Sequence, residues 1–132
     1  MSIRAVKKAL LDRLKEDTVL APVVFEGVVT DRPNRYVTIF TDSGFRESER
    51  FTGGQWTSTQ GFTVHSVGTT PDQAQYVAEK VFAQLLDHVL VVPGRTCRRI
   101  RHASSQPVQQ DTDISPPLYY TVDEFDVTSE PS

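Results

Sequence analysis

The chain has 132 residues, a formal net charge of −3 and a single cysteine, Cys97. That length holds one domain able to bury roughly two-thirds of its unfolded surface without metals or cross-links, and one cysteine excludes an intrachain disulfide or a cysteine-rich zinc site, which suits a reducing compartment such as the cytoplasm. No apolar run approaches the roughly 18 residues that span a bilayer, the basic start has no signal-peptide core, and the acidic balance argues against a protein whose main task is gripping nucleic acid.

Ser2 to Glu16 predicts a first helix, with Ile3, Val6, Leu10, Leu11 and Leu14 on one face and Arg4, Lys7, Lys8, Asp12, Arg13 and Lys15 around it. It lacks the large aromatic residue of a membrane-surface helix, so a core-packing helix with a solvated basic face is the plain reading. Asp17 to Pro22 connects it to a first strand, Val23 to Val29, and Asp31 to Arg35 supplies a polar turn. Tyr36 to Asp42 reads as a strand with apolar residues on both faces, Val37 and Ile39 on one and Tyr36 and Phe40 on the other. Asp42-Ser43-Gly44 predicts a turn into a charged edge strand, Phe45 to Phe51, making a hairpin. Thr52 to Thr59, with Gly53-Gly54 and Trp56, is a loop or the start of the strand Gln60 to Gly68.

Thr70-Pro71-Asp72-Gln73 is the strongest local signal. Thr70 can cap free backbone N–H groups, Pro71 loses nothing at the first helical position, and Gln73 can complete a capping box. Behind it Ala74, Val77, Ala78, Val81, Phe82, Leu85, Leu86 and Val89 recur at steps of three and four, predicting one central helix from Thr70 to Val91. At 1.5 Å per residue such a helix runs roughly 30 Å, enough to cross the domain. Pro93-Gly94 stops it, Arg95 to His102 is extended, Ala103 to Pro117 is a long polar loop of the kind that is usually functional or disordered, and Leu118 to Val127 is the last strand.

Two apolar helix stripes need one sheet to cover them. The expected class is α+β, a mainly antiparallel sheet with two amphipathic helices packed on one face. Residues 1–127 form this single domain, and Thr128 to Ser132 is expected to fray as a tail.

Four stretches, in this order, resemble the tail terminator (tail completion or minor tail) proteins of long-tailed bacteriophages: the basic amphipathic helix Ser2 to Glu16, the strand entry Arg32-Pro33-Asn34-Arg35-Tyr36-Val37-Thr38-Ile39, the strand-then-helix unit from Phe62-Thr63-Val64-His65-Ser66 to Pro71-Asp72-Gln73-Ala74, and the closing run from Leu118 to Val127. They cover most of the chain, although none is a sharp signature; the long loop and the arginines before it depart from the pattern. The resemblance implies a structural virion protein, without catalytic site or cofactor. It would be assembled in the host cytoplasm as a ring, usually a hexamer, at the head-proximal end of the tail tube, where it ends tube polymerisation. Its partners would be itself, the major tail tube protein and a neck or head-completion protein, with no membrane and at most non-specific contact with DNA in the lumen. A head-completion or neck adaptor would share the ring; a small dimeric ligand-binding domain, or a hydrolase built on His102 and Asp123, are readings of other classes.

The residues themselves give no catalytic or metal motif. His65, His88 and His102 lie on separate elements without ligand spacing, His88 reading as a cation near a helix C-terminus. Cys97 has no local base and reads as a structural thiol, and Gly53-Gly54 lacks the lysine and helix start of a phosphate loop. What stands out is charge placement. Arg95, Arg98, Arg99 and Arg101 are basic, whereas Asp123, Glu124 and Asp126 belong to a last stretch without lysine or arginine. These seven residues are the candidate subunit interface, basic surface of one copy against acidic surface of the next; pairing of neighbouring strands within one subunit explains the same pattern. Phe45, Arg46, Glu49, Arg50 and Trp56, with Gln106, Gln109 and Asp111 of the loop, are the candidate contacts to tail tube or neck.

Overall fold

A computed structural model describes residues 3–27, 33–41, 45–48, 56–111 and 117–131. The elements are α1 (Ile3–Lys15), β1 (Val24–Glu26), β2 (Arg35–Thr41), β3 (Phe45–Ser48), β4 (Trp56–Gly68), α2 (Pro71–Leu85), β5 (Val89–Val92), β6 (Arg95–Arg99), β7 (Arg101–Asp111) and β8 (Leu118–Pro131). A short 3-10 turn, Ala21–Val23, leads into β1.

The α+β expectation holds. One sheet runs β1-β2-β4-β8-β6-β5, with β3 also on β4 and β7 also on β8; only β1 and β2 are parallel. Strand alternation turns Phe62 and Val64 of β4, Phe125 and Val127 of β8 and Val37 and Ile39 of β2 to one face, where they join Val6, Leu10 and Leu14 of α1 and Val77, Val81 and Leu85 of α2 in a single core. Each such side chain contributes about 1.5–3 kcal/mol on burial. Both helices therefore cover the same face; among the described residues no helix covers the other, open face, which carries a small cluster of Tyr36, Val67 and Leu118.

The start of α2 is as its sequence dictates: Thr70 Oγ1 accepts from Gln73 N–H (3.1 Å), and Gln73 Oε1 reaches back to Thr69 N–H (3.1 Å). Gly68 lets this turn sit on the end of β4, since a Cβ there would lie 2.6 Å from Gln73 Cβ and 2.7 Å from the Ala74 nitrogen.

The helix is shorter than its apolar period predicts. It ends at Leu85, Asp87 turns left-handed at φ 59, and Val89 to Val91, expected as its end, belong to β5 (Val89–Val92). β5 closes a hairpin with β6 through Pro93-Gly94, Gly94 at φ 77. Asp87 N–H donates to Ile100 O (3.1 Å) and Ile100 N–H to His88 O (2.9 Å), fixing the chain to its return strand. Val89 fits a helical step as well as strand alternation, and pairing by β-branched valines decides for the strand.

Two further segments differ. Ala103–Asp111, expected as loop, is most of β7, with Pro107 inside a register shift between Gln106 and Gln109; pairing with β8 overrides the weak strand propensity of Ser, Gln and Pro. β8 continues through Thr128, Ser129 and Glu130 to Pro131, paired to β4 and β6, where a fraying tail was expected. β2 and β3 are not a hairpin with one another, for both lie antiparallel to β4 and follow each other along it. From Cys97 to Arg101 four residues advance against three on β8, Ser129 to Asp126, so the passage from β6 to β7 carries a bulge. The expected turns at 42–44 and 31–32 lie outside the described residues.

Candidate subunit interface

The arginines sit on β6 and the first residue of β7, and the acids on β8 beside them, so the two charged segments are adjacent strands of one sheet. Arg95 is committed locally, its Nη2 donating to Ser129 O (2.8 Å). Arg98, Arg99 and Arg101 are exposed and enter no ion pair among the described residues, although Arg101 lies directly across from Asp126. Glu124 is exposed and accepts from Ser104 Oγ (2.9 Å).

Asp123 is not a surface residue. Its side chain is 3% exposed and meets His102 Nε2 at 3.3 Å. The His102 ring stands edge-on to Phe82 of α2, 4.9 Å between centroids, and 5.3 Å from Phe125. This pair brings together the two side chains that a hydrolase would need; two open grooves of ≈ 470 and ≈ 360 Å³ lined by described residues lie elsewhere, along α1.

Phe45 and Arg46 fall on β3 opposite Thr59 and Ser58, and Trp56 opens β4 opposite Ser48; Glu49 and Arg50 lie outside the described residues. Gln106 and Gln109 are on β7, joined to each other by a 2.8 Å hydrogen bond, and Tyr120 Oη donates to Gln109 Oε1 (2.8 Å). Asp111 pairs with Leu118 at the end of the β7–β8 hairpin.

Burial tunes Cys97 and His88. The Cys97 thiol is pushed up by desolvation, against a smaller opposing effect of Arg95, which disfavours a reactive thiolate. His88 is held below its ordinary value of 6.5 by desolvation and by Arg13, with Glu16 opposing, so the expected helix-end cation is not favoured. Among the described residues no cluster could hold a metal ion, and no helix is long and apolar enough to cross a membrane.

One feature of the open face was missed by reading strands singly. Phe40, His65 and Tyr120 come from β2, β4 and β8 and meet there, with Phe40–His65 centroids 4.9 Å and His65–Tyr120 5.8 Å apart. Only the diagonal neighbour relation across three paired strands assembles this patch.

No protein-family model matches the chain, and no curated protein matches it significantly. Among solved structures, one chain from the virion of a native gene transfer agent particle aligns with 93% of this chain and 92% of its own, with TM-score 0.75 and 15% identity. Another aligns over 98% of this chain and 96% of its own, with TM-score 0.66 and 16% identity. At such identities the likeness establishes a shared fold, over more than nine-tenths of each chain.

Proposed function

We propose that the protein is a structural component of a phage or phage-like virion, and within that class a tail terminator. It would form a homo-oligomeric ring on the head-proximal end of the tail tube, end tube polymerisation and present a surface to the neck. The observation that carries this reading is the fold shared over nearly the full length with a chain of a gene transfer agent virion; the order of elements that resembles tail terminators supports the finer role. Assembly, not catalysis, is its activity: the one thiol is buried and disfavoured as thiolate, and the His102–Asp123 pair is packed against Phe82 and Phe125.

The test is to mix the purified protein with polymerising tail tube protein and measure tube lengths and end-labelling by electron microscopy. A terminator caps one end and arrests growth. Binding to a neck or portal-side protein with no effect on tubes assigns the protein to the head-completion side of the junction instead.

A further inference from the structure

Among the described residues, exposed apolar surface is concentrated in two places that do not overlap. Of the five large hydrophobic residues that stand exposed among them, Leu86 (41%), Val89 (46%) and Val91 (87%) fall within six residues at the β5 end of the sheet. Tyr76 is accounted for by the Arg35 and Lys80 cations over its ring, at 5.5 and 5.6 Å. The fifth is Phe40, in the aromatic patch of the open face.

Two of the strands with a single partner, β7 and β5, are treated differently by the sequence. β7 is long and exposed, but it carries Pro107 and two register shifts, devices that block pairing with another strand. β5 reads Val-Leu-Val-Val, with no charge and no proline, and it is the last strand of the sheet order. An apolar edge left open in this way invites a partner.

Charge says which partner fits. Beside β5 stand Arg98 and Arg99, exposed and unpaired among the described residues. On the open face the register runs Phe40, Thr63, Glu124 in one row across β2, β4 and β8, with Asp126 two residues further along β8. An apolar edge flanked by arginines matches an aromatic patch flanked by carboxylates. We propose that the β5 edge of one subunit docks on the Phe40–His65–Tyr120 face of a second copy of this chain. The contact is heterologous, each copy giving an edge and receiving one, so repetition closes a ring where the rotation allows. It rests on the ring reading above and names the surfaces that make it.

The experiment is light scattering of the wild type and three variants across concentration and salt, with thermal melts to verify folding. Val91→Glu, at a residue 87% exposed, is expected to melt like the wild type and to shift the mass from ring to monomer. The pair Arg98→Glu with Arg99→Glu, and the pair Glu124→Lys with Asp126→Lys, should each do the same alone; mixed one to one they should regain the ring mass, because every contact is then again between opposite charges. Wild-type rings unaffected by all three variants, or a mixture that stays monomeric, overturn this contact and leave the ring standing. A wild type that stays monomeric even with tail tube protein overturns both.

Discussion

Arg13 and Gln84 tie the ends of the two helices together by an exchange of hydrogen bonds: Arg13 Nε donates to Gln84 O (2.8 Å) and Gln84 Nε2 donates to Arg13 O (2.7 Å). Both accepting carbonyls lie in the last turn of their helix, where the i+4 donor is missing; Arg13 O also accepts from the Glu16 N–H (3.2 Å). Removing the amide in Gln84→Ala is expected to lower stability by about 1 kcal/mol, and Arg13→Met by about 1.5–3 kcal/mol because its donor is charged. Urea denaturation measures both; no change in either midpoint would show that water replaces the exchange at no cost.

Gly68 and Gly94 are predicted to fail for different reasons when changed to alanine. At Gly68 the new methyl group meets backbone, the Ala74 nitrogen at 2.7 Å, so strand and helix must move apart, at a cost of about 1–3 kcal/mol. At Gly94 there is open space but φ is 77, and the penalty is the left-handed backbone strain of about 1–2 kcal/mol. Replacing Gly94 by asparagine, which tolerates this region, should recover part of the loss; no such replacement should rescue Gly68.

Thr121→Val is expected to stabilise. Thr121 Oγ1 and Ser66 Oγ are buried opposite one another with no hydrogen-bond partner, and a group of the same shape without the hydroxyl removes a desolvation penalty of about 1–3 kcal/mol. A lower melting temperature for Thr121→Val would contradict this account of the site.

Burial between Phe40 and Tyr120 holds His65 below its ordinary value of 6.5. The folded state therefore favours the neutral ring, while the unfolded chain takes up the proton at higher pH. Its contribution to stability is complete above about pH 6.5 and is lost as pH falls toward the folded-state value. Denaturation midpoints between pH 7.5 and 5.5 should fall more steeply for the wild type than for His65→Gln; parallel slopes would remove His65 from the pH dependence.

Much of the architecture follows from local chemistry. The start of α2 is legible at Thr70, Pro71 and Gln73, and the face of α1 at Val6, Leu10 and Leu14, because capping and periodicity are properties of neighbours in sequence. The end of α2 is not, since Leu86 and Val89 continue a helical step and only Ile100, arriving later, draws Asp87 and His88 into the sheet. Residues 103–111 carry no strand signal because what makes them a strand is β8. The charged candidates were legible as residues and fitted either two surfaces of a ring or neighbouring strands of one subunit; the register sets Arg101 across from Asp126 on adjacent strands. Val91, the most exposed large hydrophobic residue among those described, stands between buried Leu90 and Val92 because strand alternation replaces the helix expected to end there.

The order in which the sheet is laid down has a consequence for synthesis. β8 lies between β4 on one side and β6 and β7 on the other, yet it is the last of these elements to be synthesised. Until it emerges, β4 lacks one neighbour, and β6 and β7 have no strand to bring them to β4. Pairing across such separations is slow, and the open edges meanwhile are those most prone to aggregate. A nascent chain stalled before Leu118 therefore holds both helices and most of the strands without a sheet to unite them.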